Sequence, residues 1–356
     1  MNALEPASLA DAFGAHPPEG FSSLRISTGA GDAPAFLTDF DVLTTLDDEH
    51  RWIIDLLVRF KLKRLARMRT VFSGTTVTEY STYPAMDADP GGCRRLVDRL
   101  LEAAEASKAR LMIIKDLPNN SPLLSDRENR IADEIARACV EDGRFILVEG
   151  QALAYVPIDF STIDEYLARA SKARRRDLRR KLRSREGLCI ETVPTGSAFE
   201  DDTLVRSLYQ QYLNVYNRSK YHFDKLSPQF FRATLTNGTN GGVVFLYRKA
   251  GGLIGFNIGF QYNGRLIDKY VGFEYPAARE ANLYFLSWFD NLEYALAHGL
   301  SHYIAGCASP EVKAYLGARF TTSRHVVYVR NPLLRKVFVP LSRFFENDAS
   351  WTESQS

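Results

Sequence analysis

Asp268, Tyr270, Glu274 and Lys313 are side chains of the types that take up, release or offset charge at a reacting centre, and the first two fall where their register can be counted. Asn263-Gly264 lies between two apolar runs, Leu253 to Tyr262 and Arg265 to Val271. An Asn-Gly pair in that setting predicts a tight hairpin, because both central residues of the turn need positive φ. Counting outward sets Phe260 opposite Ile267, Gly259 opposite Asp268, Ile258 opposite Lys269 and Asn257 opposite Tyr270. Strand side chains alternate between faces. Phe256, Ile258, Phe260, Ile267 and Val271 therefore share a core face, with Lys269 as its odd member. Asn257, Gly259, Asp268 and Tyr270 share the other face, which meets either solvent or a ligand; a strand glycine at 259 favours close approach of a ligand. A carboxylate beside a phenol can pass a proton in either direction.

These residues need a sheet and flanking helices to hold them, and the chain supplies both. At 356 residues it is long enough for two domains of ordinary size. Its composition, 45% hydrophobic and 25% charged with a formal net charge of +2, is that of a globular protein. Met1 to Gly20 lacks a basic region followed by an apolar one, and no run is long and apolar enough to span a bilayer, so a cytoplasmic chain without a transmembrane segment is expected. Cys93, Cys139, Cys189 and Cys307 have no metal-ligand spacing and read as free thiols. His298 and His302 straddle Gly299, a helix stop, so no metal is expected. Phosphate-loop, zinc-hydrolase and serine-elbow motifs are missing.

Residues 1–18 read as a flexible lead-in. A first domain over 19–160 begins with strands at Phe21 to Thr28 and Ala35 to Leu46, a helix from Asp47 to about Ala66, and a strand at Met68 to Phe72. Then follow a helix (Arg94 to Lys108), a strand (Leu111 to Ile114), a helix capped by Ser125 and ended by Gly143, and strands at Phe145 to Val148 and Leu153 to Ile158. One basic linking helix is expected over 161–187, with a Thr162/Glu165 capping box and a stop at Gly187. Its run Ser171-Lys-Ala-Arg-Arg-Arg-Asp-Leu-Arg-Arg-Lys-Leu-Arg is either a solvated face or a dock for something anionic. A second domain over 188–330 contains a strand (Leu188 to Val193), two helices (Asp202 to Asn217, and one opened by Ser227-Pro228) and the three-strand meander. It continues with a helix over Ala281 to His298, a strand (His302 to Ala305), a helix (Pro310 to Leu316) and a last strand, Thr322 to Val329. Residues 331–356 form an amphipathic tail, Leu333, Leu334, Val337, Phe338 and Leu341 alternating with Arg335 and Lys336, that either packs on its domain or lies on a membrane.

Leu96 to Lys115 and Phe289 to Gly306 repeat one pattern, helix then strand then polar exit, so an α/β fold of two related units with mixed sheets is expected. Only the second copy is expected to carry the well-formed hairpin meander and the polar strand face. The order strand, helix, helix, meander, helix, strand, helix, strand resembles the GNAT acyltransferase superfamily. The tandem arrangement, the basic junction, and His298-Gly299 leading to Val312-Lys-Ala-Tyr-Leu-Gly-Ala-Arg-Phe resemble the FemAB-like, peptidoglycan-biosynthesis-type N-acyltransferases over about residues 20 to 330.

That resemblance implies acyl or aminoacyl transfer to an amine, with a catalytic second domain and a degenerate first one. Such a reaction needs a proton acceptor, donors for the tetrahedral oxyanion, and a proton for the leaving group. Asp268 is the candidate base, or else a surface salt-bridge partner of Arg265 or Lys269. Tyr270 is the candidate proton donor, or else a half-buried strand tyrosine; Glu274 is a second base. Lys313 would meet a phosphate or the oxyanion, or else be a solvent-facing helix lysine. Tyr216, Arg218, Tyr221, His222 and Asn257 are candidates for binding the acceptor. Gly272, Arg279, Asn282, Arg175 and Arg179 are candidates for binding the donor. The Gly-rich pyrophosphate loop of ordinary GNAT enzymes is replaced by Gly272-Phe-Glu-Tyr-Pro-Ala-Ala-Arg-Glu-Ala-Asn. No tightly bound cofactor is expected. The co-substrate is an acyl thioester, on CoA or an acyl-carrier protein. Fem-type aminoacyl-tRNA is the second donor reading, and a non-catalytic binding protein of the same fold is the third.

Overall fold

The computed structural model describes residues 4–28, 31–42, 66–81, 83, 89–219 and 223–342. The helix expected from Asp47, the loop residues 84–88, Tyr221 and His222, and the tail past 342 lie outside the described residues. The chain folds as two compact units, one made of residues 1–4, 13–153 and 320–356, the other of 5–12 and 154–319.

The first unit is a six-stranded mixed sheet in the order β1-β2-β3-β4-β13-β5. Its strands are β1 (Ser22–Ser27), β2 (Asp32–Asp41), β3 (Arg67–Ser73), β4 (Leu111–Pro118), β5 (Phe145–Glu149) and β13 (Ser323–Val329). Among the described residues, α2 (Pro90–Ala106) and α3 (Asp126–Asp142) cover it. Asp89 caps α2, accepting from the amides of Gly91 and Gly92, with Pro90 in the first turn. The helix therefore begins four residues before the apolar periodicity does. Ser125 and Glu128 form a reciprocal capping box on α3, which ends at left-handed Gly143. Leu96, Val97, Leu100, Ile131, Ile135 and Cys139 meet under the sheet as a continuous core. Each such aliphatic side chain contributes on the order of 1.5–3 kcal/mol on full burial.

The second unit has a sheet in the order β12-β6-β11-β10-β9-β8-β7. These are β6 (Leu153–Pro157), β7 (Cys189–Pro194), β8 (Gly242–Lys249), β9 (Gly252–Tyr262), β10 (Arg265–Phe273), β11 (His302–Gly306) and β12 (Arg319–Thr321). Its helices are α4 (Ile163–Ala168), α5 (Lys172–Leu182), α6 (Asp202–Tyr216), α7 (Pro228–Thr236), the one-turn α8 (Ala277–Glu280), α9 (Leu283–Ala297) and α10 (Pro310–Leu316). Asn263 and Gly264 both have positive φ, 47° and 70°, as the hairpin requires.

Several expectations change. The lead-in is ordered: α1 (Ala7–Ala15) follows buried Leu4 and Glu5, with Leu9 and Phe13 also buried. A meander is present in both units, β1-β2-β3 as well as β8-β9-β10. The first was hard to see because β2 and β3 lack a short turn between them. The basic junction is not one helix: Ser171 caps a new helix, α5, and a tight turn at Arg183–Gly187 follows it. The long helix after the meander begins at Leu283, close to the expected Ala281, with left-handed Asn282 (φ 53°) as its N-cap, and the one-turn α8 precedes it. The last strand, β13, lies between β4 and β5 in the first sheet rather than in the second, while β6 pairs with β11 in the second sheet.

Candidate functional site

The hairpin follows the counted register from Ile267↔Phe260 to Asp268↔Gly259 and then shifts, Tyr270 pairing with Ile258 and Val271 with Asn257. Lys269 is the inserted residue of a β-bulge, which bends a strand and ends its pairing. This is where β10 leaves its neighbour. The parallel rungs between β10 and β11 run Arg265↔His302, Leu266↔Tyr303 and Ile267↔Ile304. Past them β10 continues on β9 to Phe273, and β11 continues on β6 to Gly306. Asp268 is the first residue of β10 beyond the last rung.

Around its carboxylate the second unit assembles three buried donors. Asn257 donates to Asp268 Oδ1 at 2.6 Å. Tyr303 and Asn291 donate to Oδ2 at 2.8 and 3.2 Å, and Asn291 also donates to the Tyr303 hydroxyl at 3.2 Å. Asn257, Asn291 and Tyr303 are fully buried, whereas Asp268 is half-buried, standing over them. Burial raises the Asp268 carboxyl above its ordinary value, against the hydrogen bonds from Tyr303 and Asn257 and the nearby Lys313 charge. Because both amides turn their N–H groups to the carboxylate, their Oδ1 atoms have no hydrogen-bond partner within the described chain. The site thus offers a carboxylate with two unmatched carbonyl oxygens beside it.

Lys313, expected to face solvent or an anion, is only 6% exposed. Its Nζ donates to the carbonyls of Ala305 and, at 2.9 Å, Gly306, the two residues of β11 just past the last rung. It therefore closes the β11 side of the divergence and brings positive charge near Asp268.

Tyr270 does not join this group. The bulge turns it to the opposite face, where its ring meets Phe230 edge-on at 6.1 Å and burial raises its phenol. The inserted Lys269 is held by buried Glu5 of the N-terminal segment at 3.1 Å. The space over Gly259 is taken by Leu266 and the Ile267 carbonyl rather than left open. Glu274 is exposed and accepts from Asn214 at 3.3 Å, away from Asp268. On the acceptor side, Tyr216 packs against Tyr212 and Arg218 lies 4.0 Å from the Tyr275 ring.

Of the donor candidates, Arg279 is exposed on α8 and Arg175 is half-buried on α5. Arg179 pairs with Asp164 at 2.6 Å, and Asn282 donates to Ser184 Oγ at 2.9 Å. Gly272 is a packing glycine, since an added Cβ would fall 2.0 Å from Phe256 Cε1. Gly272→Ala is expected to lower stability by about 1–3 kcal/mol through that overlap, read as a drop in the denaturant midpoint. In place of a Gly-rich loop, the amides of Ala278, Arg279, Glu280, Ala281 and Asn282 are all spent on carbonyls of Glu274, Pro276, Ala277 and Arg279.

Asn291 and Tyr303 escaped the sequence reading. The available signal was Asp290-Asn291 set between Phe289 and Leu292, two polar residues on the inward side of an apolar helix. Asp290 is buried too, holding Arg185, which also bonds Glu293 at 2.9 Å. Burial pushes the Asp290 carboxyl from 3.8 up to about 6, even beside Arg185. A carboxyl raised in the folded state binds its proton better there than when unfolded, so its contribution to stability is best below about 4 and declines as pH climbs to about 6. The span corresponds to roughly 3 kcal/mol. Asp290→Asn should therefore flatten the wild-type decline between those pH values, measured by urea unfolding.

Residues 172–314 match the acetyltransferase (GNAT) domain family. Over that stretch the chain is similar to GNAT domains, and its tandem fold is like that of FemX. Among solved structures, FemX superposes with a TM-score of 0.55 at 11% identity, covering 95% of this chain and 100% of that one. L-PGS from Bacillus licheniformis superposes at 0.53 and 11% identity, covering 97% and 98%. No curated protein sequence matches the chain. In GNAT terms the β10/β11 divergence is the splayed strand pair, and α9 is the helix that follows the meander.

Proposed function

We propose that the second unit transfers an acyl or aminoacyl group to an amine at the β10/β11 divergence. The observation that carries this reading is Asp268, held by three buried donors at the point where the strands part. The acceptor enters as an ammonium, whose N–H donors match the carboxylate and the unmatched Asn257 and Asn291 oxygens. Asp268 takes one of its protons. The freed amine adds to the donor carbonyl, and the oxyanion that forms is offset by Lys313 and by β10 backbone past Ile267. The intermediate then collapses, expelling the thiol or tRNA hydroxyl, which takes up a proton.

Among the described residues, the first unit shows no comparable opening. Past the β3/β4 rungs, which end at Ser73↔Ile114, its own residues occupy the position. Thr75, Thr78, Tyr80, Ser81 and Tyr83 are buried there, with Lys115 Nζ on the Thr75 carbonyl at 2.9 Å and the Ser81 amide on Asp116 O.

The donor is an acyl thioester. The amides of 278–282, where a Gly-rich pyrophosphate loop would stand, are spent within the chain, which favours a carrier-protein thioester over free acyl-CoA. The same observation favours the second reading, aminoacyl-tRNA. Against that reading, much of the basic segment is neutralised within the chain, with Arg179 on Asp164, Arg180 and Lys181 on Asp177, and Arg185 on Asp290 and Glu293. Thermal-shift titration with acyl-CoA, acyl-carrier protein and charged tRNA, each at low and high salt, separates them. A true donor raises the midpoint, and tRNA alone loses its effect steeply with salt. No shift with any of the three would overturn the reading.

A further inference from the structure

The last helix of the first unit, α11 (Pro332–Leu341), turns apolar side chains outward. Asn331 caps it, its Oδ1 accepting from the Leu333 and Leu334 amides at 2.8 and 3.2 Å. At 3.6 residues per turn, Leu333, Lys336 and Pro340 line up, flanked by Pro332 and Val339. All five are exposed, whereas Leu334, Arg335 and Phe338 on the other side are half-buried. Leu333 is 72% exposed and Val339 54%, two of the four large exposed apolar side chains among the described residues. A surface helix ordinarily puts its polar side outward. Along the chain the charge here has one sign: the sequence carries no carboxylate between Arg319 and Glu346, while Arg330, Arg335 and Lys336 sit on or beside the helix.

We propose that α11 is a peripheral docking face for an anionic lipid surface, lying in the plane of the interface. Leu333 and Val339 enter the acyl boundary, and Lys336 and Arg330 meet the headgroups. Area argues against a protein partner here. A stable protein interface buries on the order of 800 Å² per side, far beyond two exposed side chains on a ten-residue helix. Shallow insertion and basic attraction, each weak alone, are sufficient together at a lipid surface. None of the described helices is long and apolar enough to cross a membrane, so the contact is with the surface alone. This proposal is independent of the transferase reading.

The test is co-sedimentation of the full chain with vesicles of phosphatidylcholine and phosphatidylglycerol in equal parts, against phosphatidylcholine alone. Binding is expected to the mixed vesicles and to weaken with salt. Lys336→Ala should weaken it about five-fold, and Leu333→Glu with Val339→Glu by at least about ten-fold. Both altered side chains of the double variant are exposed, so its unfolding midpoint should match wild type and serves as the folding control. Three results would overturn the proposal: no sedimentation with the mixed vesicles, equal binding to neutral ones, or full binding by a folded double variant. So would a concentration-dependent dimer that the double variant abolishes, which would assign the face to a second copy of the chain.

Discussion

Asp268→Asn should cost about 10²–10⁴ in kcat, or roughly 3–5 kcal/mol of barrier, while leaving the unfolding midpoint unchanged or higher. The two readouts move apart because the substitution removes the only strong base of the cluster and, with it, a carboxylate whose burial opposes its ionisation. Asparagine keeps the volume, its Oδ1 still accepts from one of the surrounding amides, and the Tyr303 hydroxyl can turn to accept from its Nδ2. A structural carboxylate would behave the other way, with its loss lowering the midpoint and sparing turnover. The pH profile adds a signature. Because the Asp268 carboxyl is raised, the acid limb of wild-type activity should lie above the ordinary carboxylate range, and the variant's residual activity should lack that limb. Measuring kcat and the thermal midpoint of both proteins across pH decides between the two roles.

Lys313→Met has the largest combined effect. Methionine preserves the aliphatic packing of a side chain that is only 6% exposed, but it strips a charged donor from the carbonyls of Ala305 and Gly306. Hydrogen bonds to charged groups contribute about 1.5–3 kcal/mol each, so losing the two is expected to cost about 3–6 kcal/mol in unfolding free energy. Lost charge at the oxyanion should lower kcat by about 10²–10³. The nearby cation also holds the Asp268 carboxyl down. Removing it raises that group further and moves the acid limb to higher pH. A lysine serving only to staple the end of β11 would shift the midpoint and leave the limb in place.

The part of this site that could be read in the sequence is local. Asn263-Gly264 fixed the hairpin, and its register held as far as Asp268. Beyond that point an inserted residue reverses every face, and one odd polar residue on a core face, Lys269, was its only trace. Its partner Glu5 lies 264 residues away, a distance no periodicity can bridge, which is also why the lead-in read as loose. Tyr270 left the candidate site for the same reason, and Asn291 and Tyr303 entered it through long-range packing. The exchange of β6 and β13 between sheets was equally hidden, because two short apolar strands fit either sheet by pattern alone. Lys313 read as a contact to an anion or else as a solvent-facing lysine; its burial comes from strand-end carbonyls that exist only once β10 and β11 part.

In the proposed reaction an activated acyl carbon meets an amine beside Asp268. The most direct measurement is amide formation, followed by mass spectrometry, in separate reactions of the purified chain with acyl-CoA, acyl-carrier protein or aminoacyl-tRNA and a pool of primary amines. One donor class is expected to yield an amide with wild-type protein, and Asp268→Asn to form it at least about 100-fold more slowly. No amide with any donor, or a variant as fast as wild type, would overturn the proposed reaction.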